Sequence, residues 1–178
     1  MPCVVITGGP GVGKTTLLAE LRTRGYATAP ESARAVIAER RSQGLSPRPE
    51  PVAFALEILR RDTEQYDAHA HAPGWVFFDR GTVEALGMLH QAAPMHTSEL
   101  AAALRARPFH SLVFVLPPWS AIYTKDAERD HSFPWVEHVH SELLRWYRSC
   151  GYALCEVPRL PVAARAEFVL RTLTHGAA

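Results

Sequence analysis

Cysteine, lysine and net charge are all scarce in this chain. Three of its 178 residues are cysteines, and Cys3, Cys150 and Cys155 form neither a C-x-x-C pair nor an even disulfide framework, a usage that suits a reducing cytosol. The 19 basic and 18 acidic residues leave a formal charge of +1, so bulk electrostatics predict no nucleic-acid or membrane partner. No apolar run approaches the roughly 20 residues needed to span a bilayer. The opening stretch MPCVVITGG lacks the basic start and long apolar core of a secretory signal. Secreted, membrane-spanning and fibrous readings are thereby excluded, and a cytoplasmic protein is expected. What remains is ordinary for a packed domain: 47% hydrophobic and 21% charged residues, in a length that suits a single domain burying roughly 70% of its unfolded surface.

Arginine supplies nearly all of the positive charge, because the only lysines are Lys14 and Lys125. With abundant alanine, this reads as compositional bias. The bias still draws attention to Lys14, which falls inside the clearest motif of the chain.

Hydrophobic periodicity predicts strands alternating with helices. Residues 3–7 (CVVIT) form a β-branched run that ends at glycines, as a buried parallel strand does. Helical spacing follows over 14–24, closed by Gly25, and a weakly signalled second strand over 26–29. Helices are expected over 32–43 and 51–70, parted by the breaker GLSPRPEP, before a third strand at WVFF (75–78) that ends at Asp79. Two helices (83–91 and 98–107), a fourth strand (111–116) stopped by a double proline, a helix over 133–150, a fifth strand (152–157) and a closing helix (162–173) complete the order. This alternation predicts a parallel sheet covered on both faces. No repeat or long linker divides residues 1–178, so one domain is expected.

Between the first strand and the first helix lies Gly8-Gly9-Pro10-Gly11-Val12-Gly13-Lys14-Thr15, which fits G-x-x-x-x-G-K-[ST] in the context the motif requires. Glycines let backbone N–H groups cradle phosphate oxygens, and the helix N-terminus adds a favourable dipole. Gly9, Pro10, Gly11, Val12, Gly13, Lys14, Thr15 and Thr16 are the expected nucleotide contacts. Lys14 is placed to bridge the β- and γ-phosphates, and the Thr15 hydroxyl to join a Mg²⁺ shell. A nucleotide-binding protein follows.

Thr124-Lys125-Asp126 lacks a residue of the N/T-K-x-D signature of GTPases and falls in a polar stretch. A motor ATPase needs more chain than is present. A small kinase remains, and its parts can be sought in order. Glu31 and Arg34, three residues apart at the predicted second-strand mouth, suit an acceptor-binding acid and a phosphate- or substrate-holding cation. The competing interpretation is a helix-start acid favoured by the dipole, with Arg34 on an exposed face. Asp79, which ends the third strand, is placed to reach Mg²⁺, and Arg80 beside it to meet phosphate or acceptor. Residues 119–133 carry Lys125 and Arg129 in a polar segment that suits a lid closing over phosphates; a solvated charge run would read the same way.

The stretches V-F-F-D-R-G and L-P-P-W-x-x-I-Y-x-x-D-A-E-R, with E-x-x-R before them and E-V-P-R-L-P after, resemble the bacterial P-loop AAA-domain proteins related to the ribosylnicotinamide kinase domain of NadR. The resemblance runs from Val4 to Leu173. It implies an α/β P-loop sandwich with strand order 2-3-1-4-5, and transfer of phosphate from ATP to a small hydroxylated acceptor. It also places the loop at 158–161, with Arg159, near the adenine. The catalytic set is then Lys14, Glu31, Asp79, Arg80 and Arg129, with Glu31, Arg34 and Arg80 toward the acceptor and Thr15 and Asp79 toward the metal. A regulatory ATPase switch acting on a protein partner is the alternative function. The acceptor's identity and the oligomeric state, a homo-oligomer among the options, are not fixed by these signals.

Other signals carry less chemistry. The H-x-H pairs His69/His71 and His138/His140 do not share a helix face, so neither is a ready chelate. Trp75 and Trp135 are expected to anchor the core, and the arginines 40, 41, 48, 60 and 61, which flank the Pro-rich break, to lie on a solvated helix face, with an anionic-substrate pocket as the alternative.

Overall fold

A computed structural model describes residues 2–122 and 132–175. The elements are β1 (Cys3–Thr7), α1 (Lys14–Thr23), β2 (Ala27–Ala29), α2 (Ser32–Ser42), α3 (Pro51–His69), β3 (Val76–Asp79), α4 (Thr82–Ala92) and α5 (Thr97–Ala106), then β4 (Leu112–Val115), a 3₁₀ turn (Ser120–Ile122), α6 (Phe133–Ser149), β5 (Ala153–Glu156) and α7 (Val162–His175). The five strands pair in parallel in the order β2-β3-β1-β4-β5, as the resemblance implies.

Strand periodicity explains how the core divides. Val4 and Ile6 of β1 face one side with Phe77 and Phe114, where Leu17 and Leu21 of α1 and Val169 and Leu173 of α7 cover them. Cys3 and Val5 face the other side with Phe78, Val113 and Val115, under Tyr66 of α3 and Tyr147 of α6. Every residue of β1 is fully buried. Burial on both faces is what an unbroken β-branched run requires, each large side chain contributing roughly 1.5–3 kcal/mol. Because all five strands are parallel, their carboxyl ends lie along one edge, and the loop after β1 opens midway along it.

One expectation changes. Trp135 is 39% exposed, since its place in the first turn of α6 sends it outward, whereas Trp75 does pack against the α1/α7 face of the core. Arg60 and Arg61 lie on a helix surface, but ion-paired: Arg60 to Glu57 and Glu64, Arg61 to Glu57 and Glu39. Of the lid segment, residues 119–122 and 132–133 are described; Lys125 and Arg129 lie outside the described residues.

Candidate active site

The loop between β1 and α1 is shaped by glycines at two tight places. Gly8 has φ +144°, and a Cβ there would lie 2.6 Å from the Leu116 carbonyl oxygen. Gly13, at φ +86°, caps α1 in the left-handed region, a conformation that costs little only without a Cβ. Val12 is buried in the α1/α7 core and pins the loop from beneath. Gly9, Pro10, Gly11, Thr15 and Thr16 complete the turn and the first residues of α1, whose free N–H groups point out of the helix start. Lys14 is buried, and its ammonium donates to the Gly8 and Gly9 carbonyls at 2.9 and 3.0 Å. Burial, and then the neighbouring Arg80 charge, bring its pKa down to about 8, against the opposing pull of Asp79, Glu31 and Glu84.

Beside the loop, three elements converge on Arg80. This residue has φ +76° without being glycine, a conformation costing on the order of 1–3 kcal/mol that persists where surroundings over-determine it. Its backbone N–H donates to the Ile6 carbonyl of β1 at 3.1 Å. Its guanidinium donates to Glu31 Oε1 at 3.2 Å, to the Gly8 carbonyl at 3.2 Å and to Glu84 Oε2. Glu31 N-caps α2 without a capping hydrogen bond from its side chain. Its second oxygen instead meets Arg34 Nε at 3.1 Å. Burial pushes the Glu31 carboxyl up, but Arg80, Lys14 and Arg34 outweigh it and hold the group below the usual range. Glu31 thus stands at the start of α2 with exposed Arg34 one turn on, and is paired in addition to Arg80.

Glu84 was not legible as a site residue, yet it ties the cluster together. Buried in the first turn of α4, it accepts from Thr7 Oγ1 at the end of β1, from Tyr147 Oη of α6 at 2.9 Å and from Arg80. Its signal was an acid four residues after Arg80, one turn into the next helix. Asp62 of α3 was missed too. It is 4% exposed and accepts from Ser32 Oγ at 2.5 Å, while Gln65 donates to the same hydroxyl at 2.7 Å. Burial drives its carboxyl up to about 7, against the Ser32 hydrogen bond, with Glu84 and Glu31 adding to the rise.

Asp79 stands at the end of β3, buried, with Oδ1 lacking a hydrogen-bond partner among the described residues. Burial raises its pKa, and Glu31 and Glu84 add to this against Lys14 and Arg80. A buried carboxylate oxygen left free beside a phosphate-binding loop fits a Mg²⁺ ion or its water, with the Thr15 hydroxyl as a second donor. Thr15, Asp79, Glu31 and Arg34 line one cleft of about 430 Å³, walled otherwise by Leu18, Ala29, Pro30 and Ala35 among others. Arg159 lies elsewhere: exposed in the β5–α7 loop, it donates to the Pro118 carbonyl at 3.0 Å and so ties that loop to the one after β4. His69 Nδ1 lies 2.8 Å from the Gln65 carbonyl of its own helix.

The loop, the strand order and the acid at the end of β3 define an α/β P-loop fold of the kinase-like kind. A family model described as AAA domain matches residues 3–165, and the chain belongs to that family. No curated protein matches it by sequence. Solved structures of deoxyadenosine kinase from M. mycoides are similar in fold. The one with bound dATP has a TM-score of 0.65 at 14% identity, covering 98% of this chain and 100% of that one. The one with dCMP and dCDP has 0.63 at 15%, covering 97% and 99%. A third, with dCTP, has 0.55 at 13%, covering 98% and 100%. Among the described residues, no helix is long and apolar enough to cross a membrane.

Proposed function

We propose that this protein is an ATP-dependent phosphotransferase that moves the γ-phosphate to a hydroxyl of a small molecule held in the cleft beside the loop. The observation that carries this reading is Glu31, an ionised carboxylate fixed by two arginines in the wall of a cleft that also reaches Asp79 and Thr15. A switch that only hydrolyses nucleotide would use such an acid to position water, whereas the cleft beside Glu31, walled by Leu18, Ala29, Pro30 and Ala35, offers room for an organic acceptor.

The chain's residues divide the work as follows. Loop N–H groups and the α1 terminus receive the β- and γ-phosphates. Lys14 exchanges its two loop carbonyls for phosphate oxygens and supplies a point charge where charge is greatest. Asp79 and Thr15 would hold Mg²⁺, which supplies neutralisation of phosphate charge when bound. Glu31 accepts the hydrogen bond of the acceptor hydroxyl, orients its oxygen toward the γ-phosphorus, and takes the hydroxyl proton as the new P–O bond forms and the bond to the departing ADP breaks. Its lowered pKa suits a loose transition state, in which the attacking hydroxyl needs alignment more than early deprotonation. Arg80 stiffens Glu31, and Arg34, at 46% exposure, would exchange its Glu31 contact for an anionic part of the acceptor. Arg129 and Lys125 would close over the phosphates, and Arg159 would border the adenine. The apolar wall of the cleft suits a ring, and the fold neighbours hold deoxynucleotides, so nucleosides are the first acceptors to assay.

Glu31→Gln tests the assignment. Acceptor-stimulated ADP release is expected to fall roughly 10²–10⁴-fold, with ATP affinity and melting temperature little changed. An intact rate per folded molecule, or hydrolysis indifferent to every acceptor, would favour the nucleotide switch.

A further inference from the structure

We propose that Arg165 is a nucleotide-binding residue that grips the phosphate chain of ATP on its nucleoside side, a reading that rests on ATP being the ligand of the loop. Arg165 lies in the first turn of α7, following the β5–α7 loop, and is 6% exposed. Its Nε and Nη1 have no hydrogen-bond partner among the described residues. Buried guanidinium nitrogens are normally paired, because leaving them unpaired forfeits their hydration without return. What surrounds the group shows where it is aimed. A Cβ built on Gly13 would lie 2.8 Å from Nη1, so the cation presses against the backbone of the phosphate-cradling loop. The Trp119 ring centroid lies 5.8 Å from the guanidinium carbon, a contact that partly offsets desolvation.

Sheet order decides which end of the nucleotide this is. The acceptor cleft is built from residues following β2 and β3, on one side of β1. Arg165 and Trp119 follow β5 and β4, on the opposite side. A triphosphate laid on the loop with its γ-phosphorus toward Glu31 therefore points its α-phosphate and nucleoside toward Arg165. A planar, permanently charged fork with two free donors matches two phosphate oxygens. Gly13 belongs to the same assembly: any side chain there would displace the arginine.

The experiment compares Arg165→Gln and Arg165→Lys with the native chain, titrating ATP and ADP by calorimetry and measuring melting without nucleotide. Arg165→Gln is expected to weaken both nucleotides at least tenfold. Arg165→Lys, which keeps charge without the fork, is expected to fall between. Unliganded melting should hold or rise in Arg165→Gln, because an unpaired buried cation has been removed. Native ATP affinity in both variants would overturn the assignment of Arg165 and leave the loop's role standing, as would equal losses in the two variants accompanied by lowered melting. Failure of the native chain to bind ATP would overturn both.

Discussion

Removing the charge from Asp62 shows what its burial costs the fold. In the unfolded chain the carboxyl titrates near its ordinary value, and in the native one near 7. Between those limits the native state binds the proton and the unfolded state does not, so stability falls as pH rises through the window and levels off above it. Asp62→Asn keeps the shape and the acceptor for Ser32 but has no proton to lose. Its melting temperature is expected to decline less than that of the native chain from about pH 5 to about pH 8; equal declines would assign the pH dependence to another group. At this scale the sequence was readable where residue type and strand position coincide. Lys14 opens the helix after the glycine-rich turn and Asp79 ends β3, and the structure brings them together with Glu31 and Arg80. Asp62 and Glu84 were not readable, because a carboxylate inside a helix looks solvated until the packing of its neighbours is known.

Among the elements, α4 and α6 meet the end of β1 through one carboxylate. Tyr147→Phe deletes the donor from α6 to Glu84 and nothing else of its ring, so a loss of about 1.5–3 kcal/mol is expected, the range for hydrogen bonds to charged groups. Urea unfolding measures it, and nucleotide affinity should stay level. Glu84→Ala is expected to cost more, about 3–5 kcal/mol, since Arg80 loses a buried partner and Thr7 and Tyr147 lose their acceptor. A smaller loss than for Tyr147→Phe would mean that the cluster relaxes onto water. Helix and strand boundaries fell within a residue or two of their expected places because glycines and prolines punctuate this chain closely. The 3₁₀ turn at Ser120–Ile122 was not signalled, and Trp135, expected in the core, is exposed instead. Both lie beside the segment after β4, where neither period 2 nor period 3.6 is sustained.

For the molecule as a whole, nucleotide binding should register as stability. At a hundredfold excess over Kd a ligand that binds only the native state adds about 2.7 kcal/mol, and for a domain of this size that corresponds to roughly 5–11 °C in melting temperature. ATP is expected to produce such a shift in the native chain and little in Lys14→Ala, measured by thermal unfolding. An equal shift in both would remove the loop from the binding site. The architecture was the most legible level, because a β-branched strand running into a glycine-rich turn leaves few ways to lay a parallel sheet; the convergence of β1, α2 and α4 on Arg80 depends on three-dimensional closure and left no such trace. The lysine turned onto Gly8 and Gly9 has one more effect. A loop that already satisfies its own cation has a threshold for entry. A single inorganic phosphate must displace two hydrogen bonds to gain one anionic partner. A triphosphate spans the whole cradle and recovers the loss several times over. The loop is thereby expected to favour a triphosphate over small anions, a preference that competition of inorganic phosphate against ATP binding measures.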